Sequence, residues 1–341
     1  MTILESLAMR SHSAEAREGR PAGLARLGWD WLIYVGVRLL AGLAQVLPVA
    51  FDLWLARMAG RWLWSLYRRG RLRAIENLEA SFPDKDRAWI EQVGRRSFEQ
   101  IAMLGMDVIL TNRIVRKENW RKYCCFKGVE RVKWMMKGGE GLLLVTGHYG
   151  NFEIIGYLFS LFGFRIYSVA RPLDNRFVDR WLRRIRQRHG QVIIDKKGAS
   201  ELMARIPSGI SLGLIADQDA GRKGVFVEFF GRKASTFKSI ALLAVTRRMP
   251  VVVGYGRRIG DRFFFEIGAN RIILPEHWLD KPDPIHWITS QFTQAIEEFV
   301  RQDPTQYWWI HRRWKTRPPN ERTRSSLDGQ GASAHTIATS H

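Results

Sequence analysis

The pattern of apolar and polar positions divides the chain into a folded middle and two polar ends. Residues 1–27 are rich in Ser, Ala, Arg, Glu and Gly and show no sustained apolar period, which predicts a flexible head. Residues 318–341 are again polar, with many Ser, Thr and Gly residues, so we expect a disordered tail. Residues 28–68 are strongly apolar and predict a helical segment, and residues 69–317 are expected to form the main domain.

The apolar segment 28–68 has the composition of a membrane anchor. It contains no charged residue from Leu39 to Phe51, and aromatic residues flank that run. A helix over Trp29–Leu47 would approach the roughly 20 residues needed to span a bilayer if Arg38 extended to the interface. We therefore expect membrane attachment, either spanning or monotopic. The alternative is a pair of buried amphipathic helices in a soluble protein.

A basic cluster follows the apolar segment directly. Its members are Arg68, Arg69, Arg71 and Arg73. Because positive residues next to an apolar segment are retained on the cytoplasmic side, we expect the main domain to face the cytoplasm at the cell inner membrane.

Short apolar runs alternate with longer helical patterns after Cys124. The predicted strands are Gly141–Thr146, Arg165–Val169, Val192–Ile194, Ser211–Ala216, Val251–Tyr255 and Phe263–Ile267. The predicted helices are Glu153–Phe162, Asn175–Arg188, Ala199–Arg205, Phe237–Arg247 and Pro284–Arg301, preceded by helical patterns over Ile75–Leu110 with a fresh start at Asp84. This alternation predicts an α/β domain whose largely buried sheet is flanked by helices.

Composition narrows the possible partners. The chain has 54 Lys and Arg against 33 Asp and Glu, a formal net charge of +21, which indicates an anionic partner such as nucleic acid, an anionic membrane, or an acidic protein or lipid. A hydrophobic fraction of 46% with 14 Trp excludes a disordered chain.

Cys124 and Cys125 are adjacent, so they form neither an ordinary disulfide nor half of a zinc site. No phosphate-binding loop or metal cluster is evident, and we expect neither a metal nor a cofactor.

The most informative segment lies where the first predicted strand of the sheet ends. There a glycine-flanked turn contains His148, and Glu153 follows in the first turn of the next helix. Open α/β sheets bind ligands just beyond the carboxyl ends of their strands. A neutral imidazole with a carboxylate on its other ring nitrogen is suited to general-base catalysis, so His148 is the candidate base and Glu153 its partner. The alternative is a loop histidine with a structural hydrogen bond.

Three later segments contain further motifs with polar or charged residues. They are Arg171-Pro172 after the second strand, Asp217-Gln218-Asp219 followed by Gly221-Arg222-Lys223-Gly224, and the aromatic-basic run from Tyr307 to Pro318. Together with His148-x-x-x-x-Glu153 they resemble the bacterial lipid A lauroyl/myristoyl acyltransferases, a branch of the lysophospholipid acyltransferase superfamily. The resemblance covers about Trp29 to Pro318 and implies a glycerolipid-acyltransferase-like mixed sheet with an N-terminal membrane-associated helical segment.

The resemblance also implies a reaction. His148 would remove the proton from a hydroxyl of a lipid A precursor or similar anionic glycolipid, and the alkoxide would attack the thioester of a fatty acyl chain on acyl carrier protein. Glu153 would orient and balance the charged imidazole. Other possibilities within the enzyme class are an acyl-CoA donor and another acceptor, such as a glycosylated phosphoinositide or an aminolipid.

Substrate binding is expected from polar residues of the same segments. They are Asn151, Arg171, Asp217, Asp219, Arg222 and Lys223. Arg171 would contact an anionic group or the developing oxyanion, whereas Asp217 or Asp219 would position the acceptor or a loop. The alternatives are a solvated loop cation for Arg171 and capping of a helix or turn for the two aspartates.

The predicted helix Asn175–Arg188 is basic and amphipathic. Such helices are typical of membrane surfaces or acidic partners, although the polar side of an ordinary packed helix looks the same. A different class, a nucleic-acid-binding protein, would use the net charge and the run from Tyr307 to Arg317, but it leaves His148 and the Trp-rich segment without a role.

Overall fold

The computed structural model describes residues 24–188, 190–195, 207 and 209–319. The predicted helix Ala199–Arg205 lies outside the described residues, as do nearly all of the predicted head and tail.

From Leu24 to the sheet, the described residues form four α-helices. They are α1 (Leu24–Ala44), α2 (Val49–Leu66), α3 (Arg68–Ser81) and α4 (Arg87–Ile114). Helix α4 begins after Asp86, whose side chain accepts a 2.8 Å hydrogen bond from the Trp89 amide. The start is therefore slightly later than the predicted one at Asp84.

Helices α1 and α2 leave large apolar side chains in solvent. The exposed residues include Trp29, Leu39, Leu40 and Leu43 on α1, and Phe51, Trp54, Trp62 and Leu66 on α2. Within α1, residues Ala25–Ala44 are long and apolar enough to cross a membrane by length and composition. The opposite side of α2 packs in the core through Leu53 and Ala56. An exposed apolar surface of this kind marks an interaction site.

The main domain is built on a seven-stranded sheet. Its strands are β1 (Cys124–Lys127), β2 (Leu143–Thr146), β3 (Ile166–Ala170), β4 (Val192–Asp195), β5 (Ser211–Ile215), β8 (Val251–Arg258) and β9 (Phe265–Ile273). The order across the sheet is β1-β9-β8-β2-β5-β3-β4, with all neighbours parallel except the antiparallel pair β8 and β9. The predicted α/β architecture, a mixed sheet flanked by helices, is confirmed.

Helices cover both faces of this sheet. They are α5 (Glu130–Lys137), α6 (Phe152–Leu161), α7 (Arg176–Gln187), α8 (Ser239–Arg247) and α9 (Pro284–Gln302). On β8, Val251 and Val253 pack in a core shared with α8 and α9, whereas Val252 packs in a core shared with α5. Because successive strand residues point to opposite faces, the apolar run of this strand is explained by burial on both sides.

Strand β1, helix α5 and a hairpin were not predicted from the sequence. Strands β6 (Val225–Phe229) and β7 (Arg232–Thr236) form a separate antiparallel hairpin. Its turn residues, Phe230 and Gly231, both have positive φ, at 53° and 66°, as in the tight turns that join hairpin strands.

Candidate active site

Three neighbouring parallel strands end at one edge of the sheet and lead into the polar segments identified from the sequence. His148 follows β2, Asp217 follows β5, and Arg171 follows β3. Strand β5 lies between the other two and is parallel to both. The topology therefore brings these loops to the carboxyl edge of the sheet, where open α/β sheets bind their ligands.

His148 and Asp217 form a buried pair at this edge. The His148 Nδ1 atom lies 2.7 Å from Asp217 Oδ1, and the backbone N–H of His148 donates to Oδ2 over 2.8 Å. His148 is 7% exposed and Asp217 is 2% exposed. Because both carboxylate oxygens bind the same residue, the imidazole is fixed in position and orientation.

The charge state of the pair follows from these contacts. Burial disfavours ionisation of Asp217, but the charge of His148 and its hydrogen bonds outweigh that effect and hold the pKa of Asp217 below its usual range. An ionised carboxylate only accepts hydrogen bonds, so Nδ1 of His148 holds the donated proton. Nε2 is then the nitrogen that accepts, and the amide nitrogen of Gln218, a donor, lies 3.4 Å from it. This arrangement suits a general base.

Aromatic rings surround the imidazole. The ring centroids of Phe152, Trp308 and His311 lie 5.3, 5.1 and 4.4 Å from that of His148. Burial, followed by the neighbouring charge of His148, lowers the pKa of His311 to about 3, so this second imidazole is neutral. His311 has no predicted role from the sequence. The only signal for it was its place in the run from Tyr307 to Pro318.

The expected pairing of Glu153 with His148 is wrong. Glu153 lies in the first turn of α6, and its Oε2 accepts a 2.9 Å hydrogen bond from Nε of Arg186 on α7. The Nδ1 side of the imidazole is occupied instead by the loop after β5. Since β5 is the neighbour of β2 in the sheet but far away in the chain, this partner could not be read from local spacing.

Asn151 was expected to bind substrate, and the structure corrects that expectation. Its Oδ1 accepts from the Ile154 amide at 2.9 Å as the N-cap of α6, and its Nδ2 donates to Asp107 Oδ2 at 3.1 Å. Asn151 is 1% exposed, so its side chain is buried and forms its hydrogen bonds with other groups of the protein. Asp107 also pairs with Arg258, which makes Asn151 part of a buried charged cluster behind the site.

The other expected binding residues differ in their surroundings. Asp219 accepts hydrogen bonds from the backbone N–H and the hydroxyl of Thr316, at 3.2 and 2.9 Å, and thus positions a loop. Arg171, Arg222 and Lys223 are exposed. Among the described residues, no group of three or more His, Cys, Asp or Glu side chains is placed to hold a metal ion.

The aromatic-basic run closes the site from the C-terminal side. The Trp308 amide donates to the His148 carbonyl at 3.1 Å. Trp309 and Arg313 are 0% and 1% exposed, and Arg313 donates to the Ser235 carbonyl and the Thr236 hydroxyl, each at 2.6 Å. These buried side chains are inaccessible to a nucleic acid, which removes the main structural support for that alternative.

Gly150 lets the turn that contains His148 approach a neighbouring strand. It has φ of +53°, and a Cβ atom there would lie 2.2 Å from the Gly256 carbonyl oxygen. Only glycine fits both the backbone conformation and the close approach. The next residue, Asn151, donates a 2.7 Å backbone hydrogen bond to the same carbonyl oxygen of Gly256.

Comparison with known proteins identifies the family of the chain. The family model of the bacterial lipid A biosynthesis acyltransferases matches residues 25–316, which include every element described after Leu24. The chain belongs to this family. As a lipid A biosynthesis acyltransferase it is a transferase enzyme, and the family resemblance inferred from the four sequence segments is confirmed.

Curated relatives match over most of their length. A lipid A biosynthesis lauroyltransferase of Escherichia coli is 27% identical over 298 residues, covering 84% of this chain and 92% of that protein. A lipid A biosynthesis acyltransferase of Haemophilus influenzae is 29% identical, covering 87% and 94%. A lipid A biosynthesis myristoyltransferase of Escherichia coli is 26% identical, covering 85% and 89%.

Proposed function

We propose that this acyltransferase moves a fatty acyl chain from acyl carrier protein to a hydroxyl of a lipid A precursor or a similar anionic glycolipid. The observation that carries the proposal is the buried His148–Asp217 pair at the carboxyl edge of the sheet, in a chain whose family acts in lipid A biosynthesis. The relatives include lauroyl- and myristoyltransferases, which supports a fatty acyl chain as the transferred group.

The reaction follows from the orientation of the imidazole. Nε2 of His148 accepts the proton of the acceptor hydroxyl as its oxygen attacks the thioester carbonyl. A C–O bond forms, the C–S bond then breaks, and the imidazolium returns the proton to the leaving thiolate. Asp217, held ionised beside Nδ1, stabilises the imidazolium between these steps. Arg171, at the end of β3 on the same edge of the sheet, supplies a cation for the developing oxyanion or for an anionic group of the substrate.

Glu153 positions helix α7 and does not act on the imidazole of His148. Its carboxylate holds Arg186, and this ion pair fixes helix α7 against the first turn of the helix that follows His148. Helix α7 has exposed cations at Arg176 and Arg180. These exposed cations would attract an acidic acyl carrier protein. The phosphates of acyl-CoA are anionic as well, so a direct comparison of the two donors tests this part of the proposal.

Helices α1 and α2 place the enzyme at its lipid substrate. Their exposed Trp, Leu and Phe side chains form the apolar surface that a bilayer would cover. The basic cluster from Arg68 to Arg73 supports a main domain on the cytoplasmic side of the inner membrane. Carbonate washing of membranes should therefore leave the full chain in the pellet, and release by salt alone would contradict this placement.

The donor and acceptor are tested with purified full-length enzyme. Acyl carrier protein and coenzyme A, each with the same acyl chain, are incubated with a lipid A precursor, and the products are analysed by mass spectrometry. The proposal expects one added acyl chain, faster transfer from the carrier protein, and no product with the His148→Ala variant. Transfer to a glycosylated phosphoinositide or an aminolipid, but not to the lipid A precursor, would contradict it.

A further inference from the structure

A cavity separate from the His148 edge lies between α1, α4 and α7. Its volume is about 470 Å³, within the range of small-ligand sites. Four arginines line it, one from α1, one from α4 and two from α7 or its end: Arg38, Arg113, Arg184 and Arg188. Trp181 and Ile185 form part of its apolar wall. We call it the arginine cavity.

No carboxylate of the described residues neutralises the four arginines that line the cavity. Within the ranges that the structure covers, none of them forms an ion pair with Asp or Glu. Arg38 donates to the Tyr34 hydroxyl at 2.9 Å, and Arg113 donates to the Gln45 carbonyl. The charge of Arg113 acts on the buried Asp52, but neither carboxylate oxygen of Asp52 accepts a hydrogen bond.

Arg38, Arg184 and Arg188 are exposed and Arg113 is half-buried. Like charges that line one cavity repel one another, and an anion bound among them would relieve that repulsion. This contrasts with neighbouring arginines of the same helix, since Arg183 and Arg186 bind Asp179 and Glu153. Guanidinium groups recognise phosphate by paired N–H donors. The four arginines of the cavity therefore have the chemistry of a phosphate site.

The surroundings of the cavity indicate that this phosphate is part of a lipid. Ala41 and Gly42 of α1 line the cavity, while Leu39, Leu40 and Leu43 of the same helix turns are exposed. An amphiphile could thus place its headgroup among the arginines and its acyl chains along the outer side of α1. Basic pockets between membrane-embedded helices on the cytoplasmic side bind lipid headgroups in this way.

We propose that the arginine cavity binds the phosphate headgroup of an anionic membrane lipid whose acyl chains lie along α1. The site does not include His148, Asp217 or Glu153, and binding there requires no acyl transfer. It can therefore be tested whatever the outcome for the proposed reaction.

The test measures binding to the full-length enzyme in detergent. The probes are dihexanoyl phosphatidic acid, dihexanoyl phosphatidylcholine and inorganic phosphate, and the test variant is the double substitution Arg184→Gln with Arg188→Gln. The matched control is Arg176→Gln with Arg180→Gln, which removes the same charge from the same helix outside the cavity. Because hydrogen bonds to a charged group contribute about 1.5–3 kcal/mol, the test variant should bind phosphatidic acid at least about tenfold more weakly.

The result expected is tight binding of phosphatidic acid to the wild type and to the control variant, with weak binding of the other two probes. Equal binding of inorganic phosphate would overturn the lipid assignment and leave a free-anion site. Equal weakening in both double variants would show a diffuse effect of charge and overturn the cavity assignment. Undetectable binding of phosphatidic acid to the wild type would overturn the proposal altogether.

Discussion

Replacing Asp217 with Asn tests the carboxylate that orients the candidate base. The two oxygens of Asp217 accept from two donors of the same residue, the Nδ1–H and the backbone N–H of His148. An Asn side chain has one oxygen and one NH₂ group, so it can accept from only one of those two donors. If its NH₂ group faces the ring, the imidazole must carry its proton on Nε2 and can no longer act as the base. If its NH₂ group faces the backbone, it lies against the backbone N–H of His148, so two buried hydrogen-bond donors lack an acceptor.

The magnitude follows from the same geometry. One buried donor left without an acceptor costs about 1–3 kcal/mol, and the imidazolium formed during the reaction loses a neighbouring negative charge. A total of about 3–5 kcal/mol in the transition state corresponds to a fall in kcat of about 10²- to 10⁴-fold. KM should change little, because the carboxylate is buried behind His148.

The assay is steady-state acyl transfer by folded Asp217→Asn enzyme, with circular dichroism as the check on folding. The matched control is Asp219→Asn, because Asp219 bonds Thr316 and does not contact the imidazole. The control should lose less than about tenfold in kcat, as expected for one weakened hydrogen bond. Equal losses in the two variants, or a wild-type kcat in Asp217→Asn, would refute the reasoning.

Three further outcomes concern stability. His311, with a pKa lowered to about 3, stays neutral when folded but titrates near 6.5 when unfolded. Stability should fall as the pH drops below about 6.5, by about 2 kcal/mol at pH 5, and His311→Phe should remove this part of the acid sensitivity in thermal unfolding; an unchanged pH dependence would contradict it. Asn151→Ala removes the cap of α6 and a hydrogen bond to buried Asp107, so chemical denaturation should show a loss of about 2–4 kcal/mol; a loss below that range would mean that the cap is dispensable. Gly150→Ala should cost about 3 kcal/mol or more because of positive φ and a backbone clash, whereas Gly163→Ala, also at positive φ but in open space, should cost clearly less; equal costs would show that the clash is relieved.

Local patterns predicted the strands and helices of the main domain well. The apolar run from Gly141 to Thr146 contains strand β2, and the basic pattern over Asn175–Arg188 corresponds to helix α7. Both features depend on residues close together in the chain, such as a buried strand or one face of a helix. Strand β1, helix α5 and the hairpin of β6 and β7 were missed. All of these elements are short, and the hairpin has no clear apolar alternation.

Contacts between distant segments were harder to predict. Glu153 lies five positions after His148 and was the natural local candidate for its partner. The actual partner, Asp217, is brought there by the pairing of β2 with β5. His311 likewise reaches His148 only because the C-terminal run folds back over the site. Sequence motifs identified loops that lie together at the carboxyl edge of the sheet, whereas the order of the strands decided which side chains come into contact.

Substitution of His148 tests the central claim most directly. In the purified full-length enzyme, kcat/KM for transfer from acyl carrier protein to the lipid A precursor is compared between wild type and His148→Ala. Loss of the general base should lower it about 10²- to 10⁴-fold with folding unchanged. A folded His148→Ala enzyme with wild-type kcat/KM would contradict the account.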